Sequence, residues 1–178
     1  MFSYNSKITI LIRIYTPLFE QNATDFTKCV AIISERLRDV TETLEKVHYV
    51  VAMVGSSQRF DHCMSNLNTL FVAHDSLPSS KVKLYLLSED CCTFVMGEGL
   101  TRCVGSVEEG ATCTLMGLDG PGVRVSTVGL KVDAEDLALS CGGSGSSGLS
   151  NLIGSDGEWS TVVEGGRVVC VLGLRQKA

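Results

Sequence analysis

The chain has 178 residues, is 44% hydrophobic and 20% charged, and sets 15 Lys and Arg against 20 Asp and Glu with only 3 Pro, a balance that excludes a disordered, collagen-like or purely coiled-coil protein. That length allows one domain, or two small ones, with an ample core and no need of staples. The net charge of −5 comes without a Lys/Arg cluster, so direct contact with nucleic acid is not expected.

Taken in chain order, residues 7–15 alternate Ile8, Ile10, Ile12 and Ile14 with Thr9, Leu11, Arg13 and Tyr15. That is the period of a strand and not the amphipathic helix of a transit peptide. No segment reaches the roughly 18 apolar residues of a membrane span. The expectation is a soluble, unprocessed, intracellular and cytoplasmic chain with no membrane contact. Its eight cysteines, Cys29, Cys63, Cys91, Cys92, Cys103, Cys113, Cys141 and Cys170, follow no compact spacing and sit mostly in apolar runs, as reduced core thiols do. Asn22-Ala23-Thr24 matches a glycosylation acceptor but reads more simply as a helix start.

A first helix is predicted from Asn22 or Thr24, with Phe26, Val30, Ile33, Leu37, Val40, Leu44 and Val47 on its apolar face and Lys28, Glu35, Arg38, Glu42 and Glu45 on its solvated one. Residues 47–54 are nearly all apolar, as in a central strand covered on both faces. After Gly55-Ser56-Ser57, Phe60, Cys63, Met64, Leu67, Leu70 and Phe71 mark a second helix that stops before Pro78. Strands follow at 81–87 and 91–96, joined by Ser88-Glu89-Asp90.

Of the 18 glycines only Gly55 precedes residue 97, so the two halves must be built differently. The Gly-rich part offers strands at 101–107, 112–118, 122–128, 137–141, 160–163 and 167–174, separated by turn signals such as Asp119-Gly120-Pro121-Gly122 and Glu164-Gly165-Gly166. The fold class is therefore α+β: an N-terminal β-α-β-α-β layer, residues 1–97, packed on a Gly-rich, mainly antiparallel β half, residues 98–178, as one cooperative domain. The segment 142–148, all Gly and Ser apart from its flanks, reads as a mobile loop.

Chemistry-bearing patterns are weak. Gly143, Gly145 and Gly148 have the spacing G-x-G-x-x-G, but Gly154 cuts off the helix that would present its N-terminus to a phosphate. No Gly-Lys-Ser/Thr occurs, so no cofactor is expected. No Cys-x-x-Cys or His-x-x-x-His occurs, and Cys91 and Cys92 as strand neighbours point to opposite faces, so no metal is expected either. Asp61-His62-Cys63 holds the residue types of a thiol nucleophile, base and orienting acid, yet adjacent helical side chains diverge by about 100° and cannot bond in series. Cys63 reads as a core thiol and His62 as a surface histidine. Cys91 or Cys92 paired in space with His48 or His74 stays open as a catalytic thiol. The carboxylate pairs Glu89/Asp90, Glu108/Glu109 and Glu135/Asp136 fall at turns, where acids are solvated.

The stretches Cys103-Val104-Gly105-Ser106-Val107-Glu108-Glu109-Gly110, residues 113–118 and Glu164-Gly165-Gly166-Arg167-Val168-Val169-Cys170-Val171-Leu172 are loosely similar to the β-barrel that follows the GTPase domain in translation factors. That resemblance spans 103–174, lacks the nucleotide-binding half, and implies a barrel-type binding module. Three functions are thus weighed. The leading expectation is a non-catalytic structural or interaction subunit, a scaffold whose partners are the protein subunits of a larger assembly, with catalytic residues unknown. The second is a small enzyme with a cysteine- or carboxylate-based site, and the third is the barrel module.

Overall fold

The computed structural model describes residues 23–39, 49–55, 59–77, 82–104, 110–120, 122–143, 145–155 and 157–174. The expected strand at 7–15, the far end of the first helix with Val40, Leu44 and Val47, His48, and the pair Glu108/Glu109 lie outside these residues. The chain forms two compact units, one of Met1–Val50 with Gln58–Leu84, the other of Val51–Ser57 with Tyr85–Ala178.

The first unit is built on two helices, α1 (Asp25–Asp39) and α2 (Phe60–Ser76). Thr24 opens α1: its Oγ1 accepts the Thr27 N–H at 3.2 Å and its carbonyl accepts the Lys28 N–H at 3.0 Å, so the hydroxyl satisfies one of the helix's orphan donors. Asp25 in the first turn and Arg36 and Arg38 in the last suit the helix dipole. The buried stripe of α1 is Val30, Ser34 and Leu37, and that of α2 is Thr69, Leu70 and Ala73. Two bonds fix how the helices lie. Thr27 Oγ1 sits 2.8 Å from Thr69 Oγ1, and Ser34 Oγ donates to the Ser76 carbonyl, each pair 42 residues apart in sequence. A constant offset means the helices run side by side in the same direction. Arg38 also donates to the Ser76 carbonyl at 2.9 Å, so α1 satisfies a terminal carbonyl of its neighbour.

The same offset leaves the start of α2 projecting past the start of α1. Phe60 is 79% exposed, and Cys63 and Met64 are exposed with it. Cys63, expected as a core thiol, is therefore a surface one: its helical spacing was core-like, but the neighbour that would cover that turn begins further along.

Ten strands lie among the described residues: β1 (Tyr49–Met53), β2 (Lys83–Leu87), β3 (Cys91–Met96), β4 (Gly99–Cys103), β5 (Thr112–Met116), β6 (Val123–Val128), β7 (Leu137–Leu139), β8 (Gly148–Leu152), β9 (Trp159–Glu164) and β10 (Val168–Gly173). The second unit takes β1 from Val51 and β2 from Tyr85 onward. One sheet has the order β1-β2-β3-β10-β5-β8 and the other β4-β9-β6-β7. β10 pairs antiparallel with β3 and with β5, bringing Cys170 opposite Phe94 on one side and Leu115 on the other. Phe94, Met96, Cys113, Leu115, Val168 and Cys170 from the larger sheet share a core with Val123, Val125, Leu139, Trp159 and Val163 from the smaller. The fold is thus mixed α+β with a strand-rich, antiparallel C-terminal half, as the glycine distribution foretold.

Three expectations need correction here. β1, read as a central strand covered on both faces, stands at the end of its sheet's order with Tyr49, Val51 and Met53 exposed. Among the described residues β2 is its one bonded neighbour, so from these it receives flanking side chains on one side only. Residues 103–174 form two sheets and not a barrel. β8 was missed altogether, because Gly-Leu-Ser-Asn-Leu carries little apolar signal. Its strand state comes from pairing with β5, Thr112 opposite Leu152 through Met116 opposite Gly148. A side chain at position 148 would approach the Leu115 carbonyl to 3.1 Å, so glycine permits the close pairing. The Gly/Ser segment before it is tied down as well, by Ser140 N–H to the Ser146 carbonyl at 2.8 Å and Gly117 N–H to the Ser147 carbonyl at 3.1 Å.

Candidate functional site

Where α2 overhangs the start of α1, a notch of about 390 Å³ opens, lined by Ala23, Thr24 and Thr27 from α1's leading edge and by Met64, Ser65 and Asn68 from α2. Thr24 and Thr27 of this lining belong to a chain of hydroxyls that runs on to buried Thr69 and whose polarity can be worked out. Thr69 Oγ1 donates to the Ser65 carbonyl at 2.9 Å, so it accepts from Thr27 Oγ1 at 2.8 Å, and Thr27 in turn accepts from Thr24 Oγ1 at 2.9 Å. Every hydroxyl proton is thereby committed toward α2. In α1's first turn the Thr27 N–H is taken by Thr24 Oγ1, and the positive end of the helix dipole at the notch favours an anion there.

Arg59 precedes the first turn of α2. Its guanidinium holds Asp61 in a two-pronged ion pair, with Nε to Oδ1 at 3.1 Å. This hydrogen bond keeps the Asp61 carboxyl below the ordinary range and raises the Arg59 guanidinium. Both groups are exposed, so the pair adds little to stability and remains available to solutes. Such a fork matches the geometry of phosphate oxygens.

The residues singled out from sequence fare differently. Asp61 faces Arg59, and His62 and Cys63 are both exposed, so no in-line triad forms. His74 sits 3.7 Å from Asp75. Cys91 Sγ lies 3.3 Å from Ser88 Oγ, while burial pushes the Cys92 thiol up, the opposite of what a nucleophile needs. Cys170 is hydrogen-bonded to Cys113 in the core, and that bond, followed by burial, raises it further. Asp136 adopts φ +50 and clasps Arg124, which makes it a turn clamp, and Glu135 is exposed beside it. Among the described residues no group of three or more His, Cys, Asp or Glu is placed to hold a metal ion, and no helix is long and apolar enough to cross a membrane. Arg59 and the notch residues Thr27, Ser65 and Asn68 escaped the sequence reading. Its only hint was Thr24 as a helix start, since the 42-residue offset that builds the notch leaves no local pattern.

Comparison with known proteins places the fold. Thiamin pyrophosphokinase from Candida albicans superposes with a TM-score of 0.68 over 87% of this chain and 63% of its own, at 18% identity. The Bacillus subtilis thiamine pyrophosphokinase gives 0.67 over 88% and 65%, at 13% identity, and the yeast enzyme 0.61 over 86% and 60%, at 22% identity. The chain therefore has the thiamin pyrophosphokinase fold.

Sequence similarity points the same way. The profile of the thiamin pyrophosphokinase catalytic domain matches residues 4–84, a stretch that contains the notch and Arg59. Thiamine pyrophosphokinase 1 of Oryza sativa subsp. japonica is 29% identical over 126 residues, 70% of this chain and 44% of the relative. Thiamine pyrophosphokinase 3 of the same plant is 28% identical over 158 residues, 88% and 55%. The chain spans about half the length of these curated relatives. The expectation of a non-catalytic scaffold or complex subunit is overturned by these matches, since the profile and both relatives carry the name of an enzyme. Sequence reading missed this because the chain carries no Gly-Lys-Ser/Thr signature, and neither the notch nor the exposed Arg59 leaves a local pattern.

Proposed function

We propose that the chain carries a working part of a thiamin pyrophosphokinase, acting on a nucleoside triphosphate and thiamin. In that reaction the primary hydroxyl oxygen of thiamin bonds to the β-phosphorus, the bond from that phosphorus to the α,β-bridging oxygen breaks, and a nucleoside monophosphate leaves. The hydroxyl proton passes to solvent. Such chemistry asks chiefly for positioning and for donors around the phosphate oxygens. The positive end of α1, held in place by the Thr24–Thr27–Thr69 chain, suits that task, and so does the Arg59 fork once a phosphate competes with Asp61. The observation that carries the reading is the coincidence of the matched stretch, residues 4–84, with the unit that holds the notch.

The test incubates the purified chain with thiamin, ATP and a divalent cation, and follows thiamin diphosphate and AMP. Equal yields of the two are expected. Asn68→Leu, which fills the notch from an exposed position, should lower kcat/KM about tenfold or more, equivalent to about 1.4 kcal/mol. Absence of product together with absence of calorimetric binding of both ATP and thiamin would sink the proposal.

A further inference from the structure

The face of α2 that lines the notch does not end at Met64. Asp61 precedes Met64, Ser65 and Asn68 by three, four and seven residues, so helical spacing puts it on the same face, one turn nearer the start of the helix. Its carboxylate stands at the mouth of the notch in the grip of the Arg59 fork, and both side chains are more than half exposed. The carboxylate that opens α1, Asp25, lies 3.4 Å from Lys28. Each of these two acids is thus paired with a base, and their charges cancel.

A phosphate that takes Arg59 has to break the pair with Asp61. A bare phosphate then leaves the Asp61 carboxylate facing a second anion a short distance away, and like charges repel. A phosphate that brings a divalent cation does not. Its oxygens take the guanidinium fork, and the cation, which prefers hard oxygen ligands, takes the carboxylate that Arg59 releases. One ion pair is lost and two contacts of opposite charge form. Because an exposed pair adds little to folding, its exchange costs little. Building on the nucleotide reading proposed above, we infer that Asp61 determines specificity: it makes the notch select a nucleotide carrying its divalent cation over the bare nucleotide, by exchanging Arg59 for that cation as Arg59 turns to the phosphates.

The test is calorimetric titration of the full chain with ATP, in excess magnesium and again in a chelator at matched ionic strength. The wild type is expected to bind the magnesium complex about tenfold more tightly than bare ATP. Asp61→Asn, which frees Arg59 and removes the repulsion, should bind bare ATP about threefold to fivefold more tightly than the wild type does and no longer tell the two forms apart. Asp61→Glu should keep the preference, and Arg59→Gln should weaken both forms. Circular dichroism is expected to be unchanged in all three variants, since both positions are exposed. A wild type that binds both forms equally, or an Asp61→Asn variant that retains the preference, overturns the inference even where the chain forms thiamin diphosphate. A preference that vanishes in Asp61→Asn supports it even where the chain forms none, a result that would count against the proposed function alone.

Discussion

Thr69 is fully buried, yet its hydroxyl links both helices, donating to Ser65 and accepting from Thr27. Thr69→Val keeps the shape and removes both bonds, stranding the Thr27 hydroxyl proton, so a loss of about 1–2 kcal/mol in urea unfolding is expected. Gly129 is a harsher case: its φ is +94, and a methyl there would overlap the Glu158 carbonyl. Gly129→Ala should therefore cost more than about 2 kcal/mol, and Gly120→Ala, at φ +81 with open space around it, about 1 kcal/mol. The core thiols predict an alkaline limb. Cys170 and Cys92 titrate above the ordinary thiol value of 9.0 in the folded chain. Above that pH the unfolded chain has released protons that the folded one retains, so stability falls as pH rises, by up to about 1.4 kcal/mol per pH unit per thiol. Melting curves between pH 8 and pH 10 would show it, and Cys170→Ala should flatten the slope.

At the level of elements, α1 illustrates what local pattern can deliver. Its start at Thr24 and its inward Val30 and Leu37 were readable from capping chemistry and helical spacing, and both side chains are buried. Leu37→Asp should accordingly cost several kcal/mol and unfold the first unit, visible as lost far-ultraviolet ellipticity at 222 nm; a folded variant would mean that Leu37 is dispensable to the packing. Other elements were illegible for stated reasons. In α2 the spacing of Phe60, Cys63 and Met64 looked like a core stripe, but burial depended on where a different helix begins. β8 has a strand's conformation only because β5 offers it an edge, while its own composition matches the loop before it. The notch belongs to this second kind of feature, arising from the relative placement of two elements and not from either one.

For the molecule as a whole, β10 lies between β3 and β5, and Val168 pairs with Met96 across a long stretch of intervening chain. Residues 1–97 expressed alone would retain β3 without that neighbour, so an aggregating or molten fragment is expected. A soluble fragment with a sharp thermal transition would show instead that it folds independently of residues 98–178. The position of β10 also bears on how the protein is made. A nascent chain on the ribosome that has not yet extruded Val168 presents β3 and β5 with bare backbone edges, however completely everything before them has emerged. The larger sheet cannot be assembled strand by strand during synthesis. It waits for one insertion event, and until then the cell must shield two adhesive edges, so premature termination anywhere before that strand should yield a product destined for proteolysis and not a partly active one.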